Sequence, residues 1–237
     1  MSKDASRYPI DESRPLHPTK CLYLLDTLSP DLHFVDISTS SVLSALTQGD
    51  HDGPNAKPPL HVPAEVHTAA KHAATDAPPT LHLTPKPPAS TTFLTRNRTH
   101  LAAVSPDDDN NNTPLAELSS GGLWSLGQWD ITFPPGSTHC THDIKLRPVG
   151  VGARADWFVK DSVPYFWDLV HVGLAGGQTV YELFKGVDGK RVQVARFEAL
   201  RARDRSGILW VDGDGADEAV VCVTLVATIN RVESFRA

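Results

Sequence analysis

The sequence predicts a mainly β protein: an antiparallel β-barrel with a hydrophobic C-terminal helix, preceded by a proline-rich, disordered N-terminal region. Three observations support this prediction. Thirteen of the 19 prolines fall within the first 90 residues. From Thr80 onward, short segments rich in β-branched and aromatic residues alternate with turn residues. A long, almost wholly apolar segment then follows at residues 217–235.

The N-terminal third is predicted to contain little regular structure. Residues 1–20 are interpreted as a flexible tail, and residues 49–79 as a disordered linker, because neither helical nor strand periodicity is sustained there. Residues 21–48 contain enough apolar side chains to form a strand or short helix that docks on the main domain, although Pro30 interrupts them. The barrel domain is predicted over residues 80–237.

The clearest strand pattern is "VYELFKGVDGKRVQVARF", residues 180–197. Tyr181 and Leu183 alternate with Val180, Glu182 and Phe184, and Asp188-Gly189 is a favoured pair for a tight hairpin turn. Beyond the turn, one face is predicted to carry Val192, Val194 and Arg196, and the other face Arg191, Gln193, Ala195 and Phe197. Roughly eight such strands, with no βαβ alternation, favour an antiparallel barrel or sandwich over an α/β fold.

The apolar segment at residues 217–235 has almost no polar face, so a helix there has to be buried. Its β-branched residues would also suit a central strand, and periodicity does not separate the two. Its length favours a helix. Asp217 is placed to act as the N-cap, and Arg231 suits the C-terminal end of the helix dipole.

The order of these segments resembles one known superfamily. The run "VPYFWDL", the hairpin "TVYELFK…VQVARF", the strand "GILWVD" and the closing apolar helix are similar to the tubby C-terminal-like barrel, which includes the tubby domain, the plant LURP-one-related proteins and the phospholipid scramblases. The proline-rich arm is similar to that of fungal proteins with such a domain. The resemblance covers about residues 80–237, and it implies a barrel threaded by its own C-terminal helix. Membrane phosphoinositide binding, as in tubby, is one implied function, but no lipid-binding residue carries over.

Basic side chains are concentrated around the predicted hairpin. On adjacent strands and a turn, several of them could converge on a phosphate or an anionic lipid headgroup. The alternative is a solvated edge strand that its charges protect from aggregation. The candidate anion-binding residues are Lys185, Lys190, Arg191, Arg196, Arg201, Arg203 and Arg205.

Two other polar clusters are weaker candidates. "HCTHD", residues 139–143, offers zinc ligands, but a structural site needs four well-placed groups, usually from two separated segments, and no second cluster stands out. In an extended segment, moreover, Cys140 and His142 would point to opposite faces. We therefore interpret "HCTHD" as a loop-to-strand transition and predict no metal. "DGDGADEAVV", residues 212–221, departs from the calcium-loop pattern at three positions and is interpreted as a strand-to-helix junction.

Composition narrows the cellular context. The formal charge of −6 disfavours a nucleic-acid-binding surface spread over the whole molecule. The three cysteines do not have the number or spacing of a disulfide framework, and this favours a reducing compartment. We find neither a secretory signal nor an apolar stretch long enough to span a membrane. We therefore expect a cytoplasmic protein, with nuclear location or peripheral membrane association left open.

These observations lead us to expect a non-enzymatic β-barrel that binds an anionic lipid headgroup, such as a phosphoinositide, or a protein partner. No nucleophile elbow or phosphate-binding loop is found, so we predict no catalytic residues, and we expect no cofactor. Two alternatives stay open. One is an enzyme or small-molecule carrier that uses the barrel interior, and the other is an interaction protein whose proline-rich arm is the recognition element. A helix that fills the barrel would argue against the first.

Overall fold

The structure is a computed structural model, which describes residues 8–26, 31–38, 62–86, 100–105, 114–121, 127–150, 155–171, 178–199 and 205–234. Some of the predictions above fall wholly or partly outside these ranges. They are the basic residues Arg201 and Arg203, residues 1–7 of the predicted tail, residues 27–30 and 39–48 of the predicted docking segment, and the linker residues 49–61.

The described residues form a closed antiparallel barrel of twelve strands. The strands are β1 (Lys20–Asp26), β2 (Leu32–Asp36), β3 (Leu81–Pro85), β4 (His100–Val104), β5 (Ala116–Ser120), β6 (Trp129–Thr132), β7 (Ile144–Pro148), β8 (Ala155–Lys160), β9 (Val163–His171), β10 (Thr179–Val187), β11 (Lys190–Ala199) and β12 (Gly207–Val211). Each strand pairs with its neighbours in sequence, and β1 pairs with β12 from Lys20–Val211 to Leu24–Gly207, which closes the barrel. The predicted antiparallel barrel is confirmed.

Two helices accompany the barrel: α1 (Ala64–Asp76) and α2 (Glu218–Ser234). Helix α2 is the predicted C-terminal helix, and its side chains share one core with inward-facing residues of the strands. Val223, Leu225 and Ala227 are fully buried on it. Because the barrel surrounds α2, every face of the helix is buried, which explains why its sequence has almost no polar face. Neither described helix has the length and apolar character needed to cross a membrane.

The predicted domain boundary at residue 80 is wrong. The described part of the predicted docking segment, residues 21–48, is not separate from the barrel, because most of it forms β1 and β2, two integral strands. Leu22 and Leu24 of β1 point into the core around α2, whereas Cys21 and Tyr23 belong to a second apolar cluster outside the barrel. A strand that is buried on both faces reads as a continuous apolar run, and this hides its period-2 pattern.

The prediction of a disordered linker over 49–79 is also wrong where the structure describes it. Helix α1 follows Pro63, whose carbonyl accepts the N–H groups of Val66 and His67. It buries His67, Ala70 and Ala74 against the outer face of β1 and β12. Alanine has the highest helix propensity, but an alanine-lined face produces no conspicuous apolar stripe in the sequence.

The predicted flexible tail, residues 1–20, is likewise anchored from Tyr8 onward. The backbone of Arg191 exchanges hydrogen bonds with this segment: Asp11 N–H donates to the Arg191 carbonyl and Arg191 N–H donates to the Pro9 carbonyl, each at 2.9 Å. Leu16 is almost fully buried in the cluster beneath α1. The segment is held because the first half of β11 extends beyond its partner β12 and so offers free backbone groups.

The β10–β11 hairpin is confirmed, with Asp188 and Gly189 at positive φ values of 50° and 75°. The predicted assignment of β11 side chains to faces is wrong from Ala195 onward, because a β-bulge shifts the register there. Gln193 pairs with Phe184, whereas Ala195 pairs with Leu183. The extra residue, Val194, reverses the alternation. Ala195 therefore faces the core, and the next residue, Arg196, faces outward.

Candidate functional site

The five described basic residues predicted to bind an anion are spread between the two ends of the barrel rather than gathered at one point. Lys190 lies at the barrel end where α2 begins, because it adjoins the β10–β11 turn. Arg205 precedes β12 at the opposite end and pairs with Glu233 in the last turn of α2. A ten-residue strand such as β11 is about 30 Å long. One headgroup therefore cannot contact both ends of the set.

Two of these cations lie on the outer face of the barrel and contact the protein itself. Arg191 donates to an Asp168 carboxylate oxygen at 2.7 Å and to the Tyr8 carbonyl at 3.0 Å, and its guanidinium lies 5.0 Å from the centre of the Phe184 ring. Arg196 is buried and donates to Glu198 at 3.2 Å. These contacts hold the N-terminal segment and neighbouring strands against one another.

Lys185 and Lys190 also contact protein groups. The Lys185 ammonium donates to the Gly215 carbonyl at 3.0 Å, in the turn that leads into α2. Lys190 lies 3.7 Å from Asp11, with a side chain that is 54% exposed. Among the five described cations of the set, Lys190 is the most exposed to solvent.

Within the barrel, a hydrogen bond anchors α2 to β9. The Trp167 indole N–H donates to the Thr224 hydroxyl at 3.1 Å, and that hydroxyl donates to the Val220 carbonyl at 2.7 Å. Both side chains are fully buried. Because the indole nitrogen is satisfied only in this orientation, the contact fixes the rotation of α2 within the barrel.

A buried ion pair anchors the other end of α2. The Arg231 Nε atom lies 2.7 and 2.9 Å from the two carboxylate oxygens of Asp156 on β8, and both side chains are at most 5% exposed. Burial raises the pKa of Asp156 to about 6, although the charge of Arg231 and its hydrogen bond to the carboxylate act in the opposite direction. The desolvation of the carboxylate therefore outweighs the attraction of its partner.

Replacing Asp156 with asparagine is expected to change how stability depends on pH. Between about pH 4 and pH 6 the folded protein holds a proton on Asp156 that the unfolded chain has released, so this group's contribution to the free energy of unfolding falls as pH rises. Above pH 6 the contribution is constant. Denaturant titrations should therefore show the wild type losing about 2–3 kcal/mol relative to Asp156→Asn across this interval.

The matched control is Asp188→Asn, at an exposed hairpin position with a φ of 50° that asparagine also tolerates. It should leave the pH dependence of the wild type unchanged. If the curves of Asp156→Asn and the wild type run parallel from pH 4 to pH 7, the raised pKa of Asp156 is refuted.

The acidic stretch before α2 is a strand-to-helix junction, as predicted. The Asp212 carboxylate accepts the N–H groups of Asp214 and Gly215, each at 3.1 Å, which closes the turn. Asp217 is the N-cap, since its carboxylate accepts the Val220 N–H at 3.0 Å. The His139 ring nitrogen Nδ1 lies 3.0 Å from the same carboxylate. The acids of this stretch thus satisfy backbone donors.

The "HCTHD" segment precedes β7 as a series of bends, so the premise that it is extended is wrong. The Cys140 thiol donates to the carbonyl of His142 at 3.0 Å, and burial raises the pKa of this thiol. The structure also brings Asp161, from the β8–β9 turn, to the same place: one donor atom each of Cys140, His142 and Asp161 lie within 4.8 Å of one another. The sequence does not indicate that Asp161 lies close to Cys140 and His142, because Asp161 is a turn residue 19 positions beyond His142.

One further buried polar cluster was not predicted from the sequence, because the cluster involves α1, which was not predicted either. The Glu198 carboxylate is fully buried and accepts the Val62 N–H at 2.8 Å. Its Oε1 atom lies 4.0 Å from the His67 ring nitrogen Nε2. Gln178 donates to the Val62 carbonyl at 3.1 Å. This cluster attaches the start of α1 to the outside of the barrel.

In comparisons with known proteins, no family model, curated protein or solved structure matches this chain. A functional proposal for the chain therefore depends on its own residues and contacts.

Proposed function

We propose that this chain is a non-enzymatic binding module whose partner contacts the outer surface of the barrel. The observation that carries the proposal is the position of α2, whose side chains occupy the space where a lipocalin-type carrier holds its ligand. The interior polar groups Trp167, Thr224, Asp156 and Arg231 are engaged with one another, which supports a structural role for them.

The same arrangement supports a relationship to the tubby C-terminal-like barrels. The resemblance implies a closed barrel threaded by a C-terminal helix, and the chain has that architecture. This likeness is one of fold, and no residue of a known lipid site accompanies it.

For the partner, we favour a protein over an anionic membrane. The chain has a formal charge of −6, so a negatively charged membrane surface would repel it on average. The described candidate cations also contact carboxylates or carbonyls of the chain itself. An anionic headgroup would have to compete with these internal contacts, and it would reach Lys190 most easily, because that side chain is 54% exposed.

The proposal is tested by crosslinking capture with the full chain in an extract of the source cells. A protein partner is expected to be recovered and to remain bound when excess fatty acid and soluble inositol phosphate are added, because neither occupies an outer protein-binding surface. In parallel, the purified chain is expected to show no saturable uptake of a fluorescent fatty acid.

Stoichiometric fatty-acid uptake would contradict the proposal in favour of a carrier. Salt-sensitive flotation on phosphoinositide vesicles but not on neutral vesicles, together with loss of the captured protein on addition of inositol phosphate, would instead establish the headgroup as the ligand. Lys190→Glu is the informative variant for that outcome, because it reverses the most exposed charge of the set.

A further inference from the structure

We propose that Cys140, His142 and Asp161 form a binding site for Zn²⁺ at the end of the barrel where α2 begins. A thiol sulfur, an imidazole nitrogen and a carboxylate oxygen converge there within 4.8 Å of one another. The donors come from two separate segments, the loop before β7 and the turn between β8 and β9. This supplies the second segment that a zinc site usually requires.

The hydrogen bonds of His142 hold its ring in the form that a metal ligand needs. Its Nδ1 atom lies 3.0 Å from the Asp143 carbonyl, which can only accept, so Nδ1 carries the proton. The lone pair is therefore on Nε2, where it accepts the backbone N–H of Asp161 at 3.0 Å, and a bound metal would replace this hydrogen bond. A histidine ligand typically donates its other ring N–H to a carbonyl or carboxylate in this way.

The donor set selects a borderline transition metal over calcium or magnesium. Calcium and magnesium prefer oxygen ligands throughout, whereas one sulfur, one nitrogen and one oxygen suit Zn²⁺. Binding would replace the Cys140 thiol proton with the metal and release that proton to solvent. Three protein ligands leave the fourth tetrahedral position to water or to a group of a partner.

Small movements would complete the geometry. Zinc–ligand distances of about 2.0–2.3 Å require donor atoms roughly 3.5 Å apart, so the present separations have to shorten by about 1 Å. His142 is exposed, and the Asp161 side chain is 50% exposed, so both can move, whereas Cys140 is buried. Lys160 lies 2.7 Å from one Asp161 oxygen and would have to share the carboxylate with the metal.

The full chain is titrated with Co²⁺, whose absorption reports its ligands, and then with Zn²⁺. Wild-type protein is expected to develop a sulfur-to-cobalt charge-transfer band and the intense visible bands of tetrahedral cobalt, both of which Zn²⁺ abolishes. Cys140→Ser should lose the charge-transfer band. Asp161→Asn, which suits the φ of 50° at that exposed position, should keep the fold and bind at least about 10–100 times more weakly.

Cys21→Ser is the control, because Cys21 is also a buried free thiol but lies on β1 in the cluster beneath α1. It should retain the full cobalt spectrum and the wild-type zinc affinity. The proposal is overturned if no charge-transfer band forms, if Cys21→Ser loses the band, or if Asp161→Asn binds as tightly as the wild type. In each of those cases the three side chains only stabilise the two turns.

Discussion

Replacing Val223 with aspartate is expected to abolish cooperative folding of the barrel. Val223 is fully buried in the middle of α2, where core residues of the surrounding strands pack around the helix. An aspartate there would bury a charge for which the surrounding apolar cluster supplies no counterion. Burial of an unpaired charge costs at least about 3–5 kcal/mol, a large share of the roughly 5–15 kcal/mol by which domains are stable.

Circular dichroism and denaturant unfolding measure this effect, with Asn230→Asp as the matched control. Asn230 is on the same helix but is only half-buried, so the same new carboxylate can reach water. Its cost should stay below about 1 kcal/mol. Equal stability of the Val223→Asp and Asn230→Asp variants would show that α2 does not lie within the barrel.

A fragment comprising residues 80–237 is expected not to fold, although the sequence pattern suggests that this is the domain. The fragment lacks β1 and β2, so β12 keeps β11 but loses β1, β3 loses β2, and both strands become free edges. It also loses the buried side chains Leu22, Leu24 and Phe34, each contributing about 1.5–3 kcal/mol. Helix α1, which covers the outer faces of β1 and β12, is removed as well.

Amide-proton chemical-shift dispersion and denaturant unfolding distinguish the outcomes. A variant that begins at Tyr8 retains every residue that the structure describes, and it should unfold with the midpoint of the full chain. A cooperative unfolding transition in the 80–237 fragment would contradict the closure of the barrel by β1 and β12.

Local signals in the sequence predicted several elements correctly. The Asp188-Gly189 pair indicated the hairpin because few residues adopt positive φ at two consecutive turn positions. Asp217 indicated the start of α2 because the cap is a local interaction between a side chain and a backbone N–H three residues away. The burial of α2 followed from the lack of a polar face on it.

Features that depend on distant parts of the chain were not predictable in this way. β1 and β2 were not assigned to the barrel because the strand that pairs with β1 lies near the other end of the chain. Helix α1 binds through alanines and His67, whose burial requires a partner surface that its own sequence does not reveal. A single extra residue at Val194 reversed the faces of β11, and the proximity of Asp161 to Cys140 depends on two turns meeting at one end of the barrel.

The pairing of β1 with β12 has a consequence for synthesis on the ribosome. Lys20 and Val211 are partners, yet 191 positions separate them (211 less 20). At translation rates of about 5–20 residues per second, β1 waits roughly 10–40 s before its partner strand is made. During that time its inward-facing side chains and one backbone edge have no native cover, because α2, which fills the core, is synthesised later still. The nascent chain is thus expected to need a chaperone until α2 has left the ribosome.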